Sequence, residues 1–506
     1  MSFRLLVSRG GRATARAASP FCRGSFNMPL RAKILDPSIG SRAQMSTSPV
    51  NETIRELPGD EPHDVVFNNL YGLRTIELNR PAKLNSLNAS MIRKIVPRMV
   101  EWEQSDLANV VVMKGAGDKA LCAGGDVAAL AQQNMKGPGG QKESTDYFAL
   151  EYKLNHYIAT YKKPYIAFMD GITMGGGVGL SIHAPFRIAT ERTVFAMPET
   201  TIGFFPDVGA SFFLPRMNGA IGTYLALTSE QLRGANVFYS GVATHYLHST
   251  SLPSLESRLA ELRFKDYDSM EKRLGIIEMT IEEYATGLPP KEPILLGGEL
   301  RRAIDRCFSK PTVFEVILAL RQEEGPTKEW AEKTLHTLHQ RSPTAVHVAL
   351  KQMEVGRHWS IAETFQREHQ IAAKFMRHPD FTEGVSARLL TKERPRPTPK
   401  WQPASLEDVS PGDHIEAPFF QTAPDLPRLK LLTDRDYEEY PYKLLGVPTE
   451  KDVELVVSEG TKTPKEVIEH FVTLKKGRQG ISTIVKEILD RKTTTDAGGK
   501  AIWELD

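Results

Sequence analysis

Between His63 and about Ser254 the sequence is divided into short apolar runs separated by glycine and proline, and this division limits the fold more than any other feature. Short apolar runs between turn residues are typical of buried strands, whereas longer amphipathic runs are typical of helices. The runs repeat in the order strand, strand, helix. Such a repeat predicts a layered α/β domain in which helices cover the sheets.

Individual elements of this region are predicted from the apolar period and from the turn residues. Tyr71-Gly72 separates two strands of a hairpin. The predicted elements are, in chain order, strands at 65–67 and 73–78, a helix at 89–103, strands at 110–113 and 165–169, a helix at 176–184, and strands at 186–189 and 194–196.

Beyond residue 254 the strand signals end and a second, helical half is predicted. Its clearest amphipathic segments are 254–264, 313–322, 328–339 and 361–376. A proline-rich stretch from Arg394 to Pro399 is interpreted as a linker. The predicted division is therefore a core at 60–253, a helical part of the same unit at 254–410, and a C-terminal extension at 419–506.

The C-terminal extension carries a complete set of helix-start signals. Thr463 is a predicted N-cap, Pro464 occupies the first helical position, and Glu466 completes a capping box. Val467, Phe471 and Leu474 then fall on one face, which is expected to pack on the core or on a partner. Three basic residues at the end of this helix are candidates for contact with RNA phosphates. They are Lys475, Lys476 and Arg478.

The first 45 residues form a region of different composition. They contain seven arginines among serine, alanine and glycine, and Asp36 is their only acid. This composition is typical of a mitochondrial transit peptide and predicts location in the matrix, although a disordered basic tail would have the same composition. The three cysteines lack ligand-like spacing, which excludes a disulfide framework. A formal net charge of +2 and the absence of a long apolar run give no reason to expect binding to nucleic acid through overall charge, or membrane insertion.

Two glycine-rich turns, at 119–126 and 170–179, each follow a predicted strand. Glycine allows backbone N–H groups to approach a ligand, so the two turns could direct two donors at one carbonyl oxygen. Asp126 and Gly176 would each stand at the start of a helix. Glycine turns also serve packing alone. The string at 115–120 fits a loose dinucleotide-binding pattern, but no helix follows it at once, as that site requires.

The most specific string lies at 195–209 and contains Met197-Pro198-Glu199-Thr200 and Phe205-Pro206-Asp207-Val208. Together with both glycine turns it resembles the 3-hydroxyisobutyryl-CoA hydrolase branch of the enoyl-CoA hydratase/isomerase (crotonase) superfamily. The resemblance spans roughly 65–409. Other matching strings are Asn79-Arg80-Pro81, Leu84-Asn85-Ser86-Leu87, Arg341-Ser342-Pro343-Thr344, Phe381 with Glu383-Gly384-Val385, and Pro399-Lys400-Trp401. It implies a crotonase-like spiral of strand–strand–helix repeats followed by a helical region.

The resemblance also implies roles for five residues. The backbone N–H groups of Gly125 and Gly176 would form an oxyanion hole for a thioester carbonyl. Glu199 matches the catalytic carboxylate, and Asp207 the second acid, at the hydroxyl end of the substrate. Glu151 matches a further acid of the substrate pocket. Simpler interpretations remain: Asp207 as a helix cap, and Glu151 and Glu199 as solvated surface acids.

Gly179 separates the reactions that this superfamily catalyses. Hydratases use two glutamates as acid and base, and the second falls on Gly179, which has no side chain to ionise. Loss of the pair argues against hydration or isomerisation of an enoyl-CoA and favours hydrolysis of 3-hydroxyisobutyryl-CoA, a step of valine catabolism, without metal or redox cofactor. Glu199 would act as a nucleophile that forms a mixed anhydride or as a base that activates water, and both roles stay open.

The C-terminal extension motivates a hypothesis of a different class. Relatives of this hydrolase branch serve in the mitochondrial small ribosomal subunit, and a structural role there is compatible with an intact catalytic set. The resemblance thus implies an acyl-CoA substrate and, through the extension, a ribosomal partner. The sequence also leaves room for a homo-oligomer.

Overall fold

The computed structural model describes residues 54–290 and 292–504. The predicted transit peptide, with Cys22, therefore lies outside the described residues. The other two cysteines, Cys122 and Cys307, are both buried and free. Among the described residues no helix has the length and apolar character that crossing a membrane requires.

A six-stranded sheet forms the centre of the first half, in the order β1-β2-β3-β5-β7-β10. Its first two strands pair antiparallel and the others pair parallel. The strands are β1 (Val65–Leu70), β2 (Leu73–Leu78), β3 (Val110–Gly115), β5 (Tyr165–Met169), β7 (Phe186–Ala189) and β10 (His245–Tyr246). Strands β5 and β7 are buried along their whole length, as parallel strands between helical layers must be.

A second sheet of four short strands receives the chain after β3, β5 and β7 of the first. It consists of β4 (Ala120–Cys122), β6 (Ile172–Met174), β8 (Val194–Ala196) and β9 (Leu232–Arg233). Strands β4, β6 and β8 are parallel neighbours, and β9 runs antiparallel to β8. One strand in each sheet followed by a helix is the predicted strand–strand–helix repeat, which the structure confirms.

The helices of the first half are α1 (Ala89–Gln104), α2 (Val127–Asn134), α3 (Pro138–Ala159), α4 (Gly176–Gly179), α5 (Ala210–Phe213), α6 (Ile221–Thr228) and α7 (Ala235–Tyr239). Helix α4 is shorter than the predicted helix at 176–184. The Ser181 hydroxyl donates to the Gly177 carbonyl at 2.8 Å, and the Ser181 amide donates to Val178 instead. A serine side chain that takes the i−4 carbonyl competes with the helical ladder in this way.

The second half is helical, as predicted. It contains α8 (Leu252–Ala260), α9 (Met270–Glu282), α10 (Gly298–Phe308), α11 (Val313–Arg321), α12 (Lys328–Leu338), α13 (Pro343–Gly356), α14 (Ile361–Arg377) and α15 (Pro379–Val385). The long helix α14 packs along α3 of the first half and shares apolar contacts with it, including Tyr152 beside Phe365. The two halves are therefore joined by a buried helix pair.

The C-terminal extension is folded and lies on the rest of the chain. It contains α16 (Ala417–Phe420), α17 (Glu450–Val457), α18 (Pro464–Leu474), α19 (Ile481–Lys492) and a two-stranded sheet of β11 (Thr493–Thr495) and β12 (Ala501–Trp503). The predicted capping box of Thr463 and Glu466 is present. Val467 and Phe471 are buried, whereas Leu474, predicted on the same face, is 55% exposed.

The basic residues that end α18 mainly contact the protein itself. Arg478 is 4% exposed and pairs with Glu278 of α9. The Lys475 ammonium donates to the carbonyl oxygens of Leu444 and Gly446 at 2.5 and 2.8 Å. Lys476 has an exposed side chain, 3.4 Å from Glu278. Arg478 and Lys475 are thus unsuited to the RNA contact considered from the sequence, because their cations are already engaged.

Candidate active site

The two glycine-rich turns lie side by side because the strands that lead into them are parallel neighbours. Strand β4 leads into Gly124-Gly125 and β6 into Gly175-Gly176, and parallel strands end at the same sheet edge. Close packing of α4 on β4 requires a residue without a side chain, since a Cβ at Gly177 would lie 2.2 Å from the Cys122 carbonyl oxygen. The local sequence therefore fixes where the two turns meet.

Gly125 and Gly176, the predicted oxyanion-hole residues, are close neighbours. A Cβ on Gly176 would lie 3.3 Å from the Gly125 nitrogen and 2.6 Å from the Glu151 carboxylate oxygen Oε1. The Asp126 amide donates a backbone hydrogen bond and the Gly125 carbonyl accepts one, and these two bonds hold the turn. Among the described residues, the amides of Gly125 and Gly176 donate to no backbone carbonyl outside a helix or strand. The arrangement suits a pair of N–H donors for one oxygen.

Glu199 begins a short 3₁₀ turn, Glu199–Ile202, directly after β8 and Pro198. Its side chain is 5% exposed, and its Oε1 would lie 3.1 Å from a Cβ on Gly175. Its other carboxylate oxygen is buried without a hydrogen-bond partner among the described residues. The interpretation of Glu199 as a solvated loop acid is therefore wrong.

Glu151 and Asp207 are also buried, at 2% and 4% exposure. Glu151 projects from α3, one turn before Asn155, and its Oε1 has no hydrogen-bond partner among the described residues. Asp207 accepts a hydrogen bond from the Tyr152 hydroxyl at 2.7 Å. Its side chain does not cap a helix, because α5 begins at Ala210 with no side-chain cap. Both simpler interpretations of these acids are therefore excluded.

The burial of these acids changes their ionisation. Burial, opposed by the hydrogen bond from Tyr152, raises the pKa of Asp207 to about 7. Burial, and next the charge of Asp207, raise the pKa of Glu199 and of Glu151 well above the usual range. Three neighbouring buried carboxyls do not all ionise near neutral pH, because each charge opposes the next. The three carboxyls of the site therefore share an environment that opposes their ionisation, a property common among general acid–base groups.

A cavity of about 430 Å³ brings the five predicted residues together. Gly125, Gly176, Glu151, Glu199 and Asp207 all line it, within the size range of small-molecule sites. Three further lining residues come from the second half. They are Arg388, Leu389 and Arg396.

Several lining residues were not predicted from the sequence. Arg396 lies in the stretch interpreted as a linker, yet it reaches the cavity. Tyr147 and Phe148 line the wall beside Glu151, and Phe148 stacks on Phe204 with ring centroids 5.1 Å apart. Tyr147 and Phe148 lie four and three residues before Glu151 on α3, and residues at this spacing share a helix face, so the spacing was the available signal.

Gly179 has no room for a second carboxylate. A Cβ at this position would lie 2.7 Å from the Val208 Cβ and 2.8 Å from the Asn155 amide oxygen. Asn155 is fully buried, so these atoms have little freedom to move. The side-chain space that a glutamate at residue 179 needs is already filled.

Comparison with known proteins agrees with this architecture. The family model described as enoyl-CoA hydratase/isomerase matches residues 73–419. The chain belongs to the enoyl-CoA hydratase/isomerase family. Its fold is the crotonase fold that the sequence implied. A carnitinyl-CoA dehydratase from Mycobacterium thermoresistibile has a similar structure, with a TM-score of 0.62 and 33% identity over 73% of this chain and 98% of that one.

Two curated relatives of this family member differ in how much of the chain they match. The "3-hydroxyisobutyryl-CoA hydrolase, mitochondrial" of Gallus gallus is 42% identical over 69% of this chain and 87% of its own length. The "Small ribosomal subunit protein mS47" of Neurospora crassa is 57% identical over 99% of both chains. The family model ends at residue 419, so only the second relative is similar along the whole C-terminal extension.

Proposed function

We propose that this family member hydrolyses the thioester of 3-hydroxyisobutyryl-CoA to 3-hydroxyisobutyrate and CoA in the mitochondrial matrix. The observation that carries the proposal is the cavity itself. It joins two glycine amides to three buried carboxyls and has no second glutamate at residue 179. Hydrolysis of an acyl thioester needs an oxyanion stabiliser and one carboxylate, whereas hydration of a double bond needs a pair of carboxylates as acid and base.

In the proposed reaction the thioester carbonyl oxygen accepts hydrogen bonds from the amides of Gly125 and Gly176. Each such donor contributes about 3–4 kcal/mol to stabilisation of the tetrahedral intermediate. Glu199, beside Gly175, would then attack the carbonyl carbon or take a proton from a water that attacks it. Collapse of the intermediate breaks the C–S bond, and the CoA thiolate leaves and takes up a proton. On the direct route this yields the free acid; on the nucleophilic route it yields a mixed anhydride with Glu199, which water then hydrolyses to the acid and the regenerated carboxylate.

Asp207 and Glu151 would recognise the acyl group. The 3-hydroxyl of the substrate can donate or accept a hydrogen bond. Asp207, whose pKa is raised to about 7, can accept from this hydroxyl when ionised and donate to it when protonated. The aromatic rings of Tyr147, Phe148 and Phe204 would contact the branched carbon chain. Selectivity for a short hydroxyacyl group follows from this division into polar and apolar walls.

A panel of acyl-CoA thioesters tests the proposal. We expect the purified protein to release free CoA from 3-hydroxyisobutyryl-CoA faster than from isobutyryl-CoA, and to add no water to crotonyl-CoA. Hydration of crotonyl-CoA without release of CoA from any thioester would contradict it.

A second function is favoured by one specific observation, the similarity to protein mS47 over the full length. We infer that the chain is also a component of the mitochondrial small ribosomal subunit. The extension would form part of the contact surface, since the match to the hydrolase relative covers less of the chain. Co-sedimentation of the tagged full-length protein with mitochondrial small subunits, at low and at high salt, tests this role. A protein that stays at the top of the gradient at both salt concentrations would exclude it.

A further inference from the structure

The turn that carries Asp207 has an unusual backbone. Val208 adopts φ = 54° and Gly209 φ = 91°. The left-handed region is costly for a β-branched residue, by about 1–3 kcal/mol. A Cβ at Gly209 would lie 2.4 Å from the His183 ring, so this position requires glycine. Such a turn persists only where its surroundings hold it in place.

Glu368 of α14 is the main group that holds this turn. Its side chain is fully buried. One carboxylate oxygen accepts from the Gly209 amide at 2.7 Å, and the other accepts from the Ser211 amide at 3.0 Å and the Ser211 hydroxyl at 2.8 Å. A carboxylate 157–159 residues away in sequence thereby binds the first amides of α5. Glu368, in the second half of the chain, thus supplies the hydrogen-bond acceptor that no local side chain provides at the start of α5.

Two other buried groups complete the support. The Gln352 amide of α13 donates to the Ser211 hydroxyl at 2.7 Å and to the Pro206 carbonyl oxygen. The His183 Nε2 lies 3.0 Å from the Val208 carbonyl oxygen. Both side chains are nearly inaccessible to solvent, at 0% and 2% exposure. The turn is therefore held on both sides of Asp207.

We propose that Glu368 is a positioning residue for Asp207. It lies outside the cavity lining and acts by fixing the strained turn that directs Asp207 into the cavity. The titratable groups that face Asp207 are Tyr152 and Glu151 of α3, Glu199 after β8, and Glu368 itself. The proposal rests on the proposed function for its link to the acyl hydroxyl. A misplacement of about 1 Å costs up to about 100-fold in rate.

The test is a mutant cycle of Glu368→Gln and Asp207→Asn with two substrates. Glu368→Gln keeps the size but lacks the second acceptor. We expect it to lower kcat/KM for 3-hydroxyisobutyryl-CoA about 10–100-fold and for isobutyryl-CoA far less. In the Asp207→Asn background, Glu368→Gln should lower kcat/KM little further, because the Asp207 carboxylate through which Glu368 acts is already absent. Glu363→Gln, on the exposed side of the same helix, is the matched control and should leave both rates unchanged.

Equal losses for both substrates in both backgrounds would show a purely structural role and overturn the proposal. If Glu368→Gln does not fold, Ser211→Ala removes one of the three bonds and keeps the carboxylate, and it should show the same selective pattern more weakly. If the wild type hydrolyses neither thioester, the proposed function fails by itself. The melting temperatures of the four proteins then decide, since positioning predicts non-additive shifts and independence predicts additive ones.

Discussion

At the residue scale, the acids of the cavity lie where burial opposes their ionisation. Glu151, Glu199 and Asp207 of the cavity are at most 5% exposed, and so is Glu368, which lies outside the cavity lining. Burial, with the charge of Asp207 as the next cause, raises the pKa of Glu368 to about 8. Proteins accept such a cost mainly at functional sites, where shifted pKa values serve proton transfer.

These raised pKa values predict how stability depends on pH. The native protein retains protons on Asp207 and Glu368 that the unfolded chain releases near pH 4. Their contribution to stability is therefore fully present below about pH 4 and is lost as pH rises through about 7 and 8.

Asp207→Asn should remove part of this dependence. We expect the mutant to gain on the order of 2 kcal/mol relative to the wild type between about pH 5 and pH 8. Urea unfolding at both pH values measures the difference. A stability gap that is constant with pH would contradict the assignment of a raised pKa.

A second residue-scale prediction concerns Gly179→Glu. The new side chain would collide with Val208 and Asn155 and bury a charge, which should cost at least about 1–3 kcal/mol. We expect a lower melting temperature and no hydration of crotonyl-CoA. Gly139→Glu, at a helical position with open space around it, is the control and should be tolerated. A stable hydratase would show that residue 179 alone separates the two reactions.

Four of the five cavity residues lie in strings that stand out in the sequence, whereas the family resemblance alone implied Glu151. Glu199 and Asp207 belong to one string, and Gly125 and Gly176 to two glycine turns. Glu368 could not be predicted in this way, because its partners Gly209 and Ser211 lie more than 150 residues before it. Contacts between segments that are distant in the chain produce no periodic pattern in the sequence.

At the element scale, local signals predicted most bounds. Strands β5, β7 and β8 lie at their predicted positions, since a short and mainly apolar run between turn residues has few alternatives. The predicted helix after β6 is too long, because a side chain takes a backbone carbonyl there. The assignment of strands to two different sheets was not predictable, since alternation between sheets depends on tertiary packing.

A cluster of charged residues joins α10 to the C-terminal helices and carries an element-scale prediction. Arg301 and Arg491 are 2% and 4% exposed and share the Glu450 carboxylate, which lies 2.8 Å from Arg301. Without the Glu450 carboxylate the two buried cations keep, among the described residues, only Asp305 and Glu487 as partners, each at 3.0 Å, so Glu450→Gln should cost about 1.5–3 kcal/mol.

Chemical unfolding of the Glu450 variant measures this cost. Glu454→Gln, on the same helix but outside the cluster, is the matched control and should change stability by less than about 0.5 kcal/mol. Equal stability of both variants would show that the cluster does not hold the extension on the core.

At the scale of the whole molecule, the extension is part of the folded unit and not an appendage. The Arg435 carbonyl lies 2.9 Å from the His156 ring, and Arg435 pairs with Glu103 at 2.7 Å. Phe419 packs on Phe375 with ring centroids 4.5 Å apart. Of the two surfaces considered for the extension, the chain's own core is the one that it covers.

Truncation before Phe419 should therefore destabilise the protein. Its removal would expose His156 of α3 and Phe375 of α14, which are both buried in the full chain. We expect a large loss of melting temperature or insoluble protein, measured by differential scanning calorimetry against the full chain. A truncated protein with unchanged stability would favour a role in docking alone.

The measurement that most directly tests the account is release of CoA from 3-hydroxyisobutyryl-CoA by the wild type and by Glu199→Gln. The substitution keeps the shape of the side chain and removes its ionisable group. We expect turnover by the wild type, a loss of at least about 100-fold in the mutant, and retained binding of the thioester. Near-normal turnover in the mutant, or no release of CoA by the wild type, would contradict it.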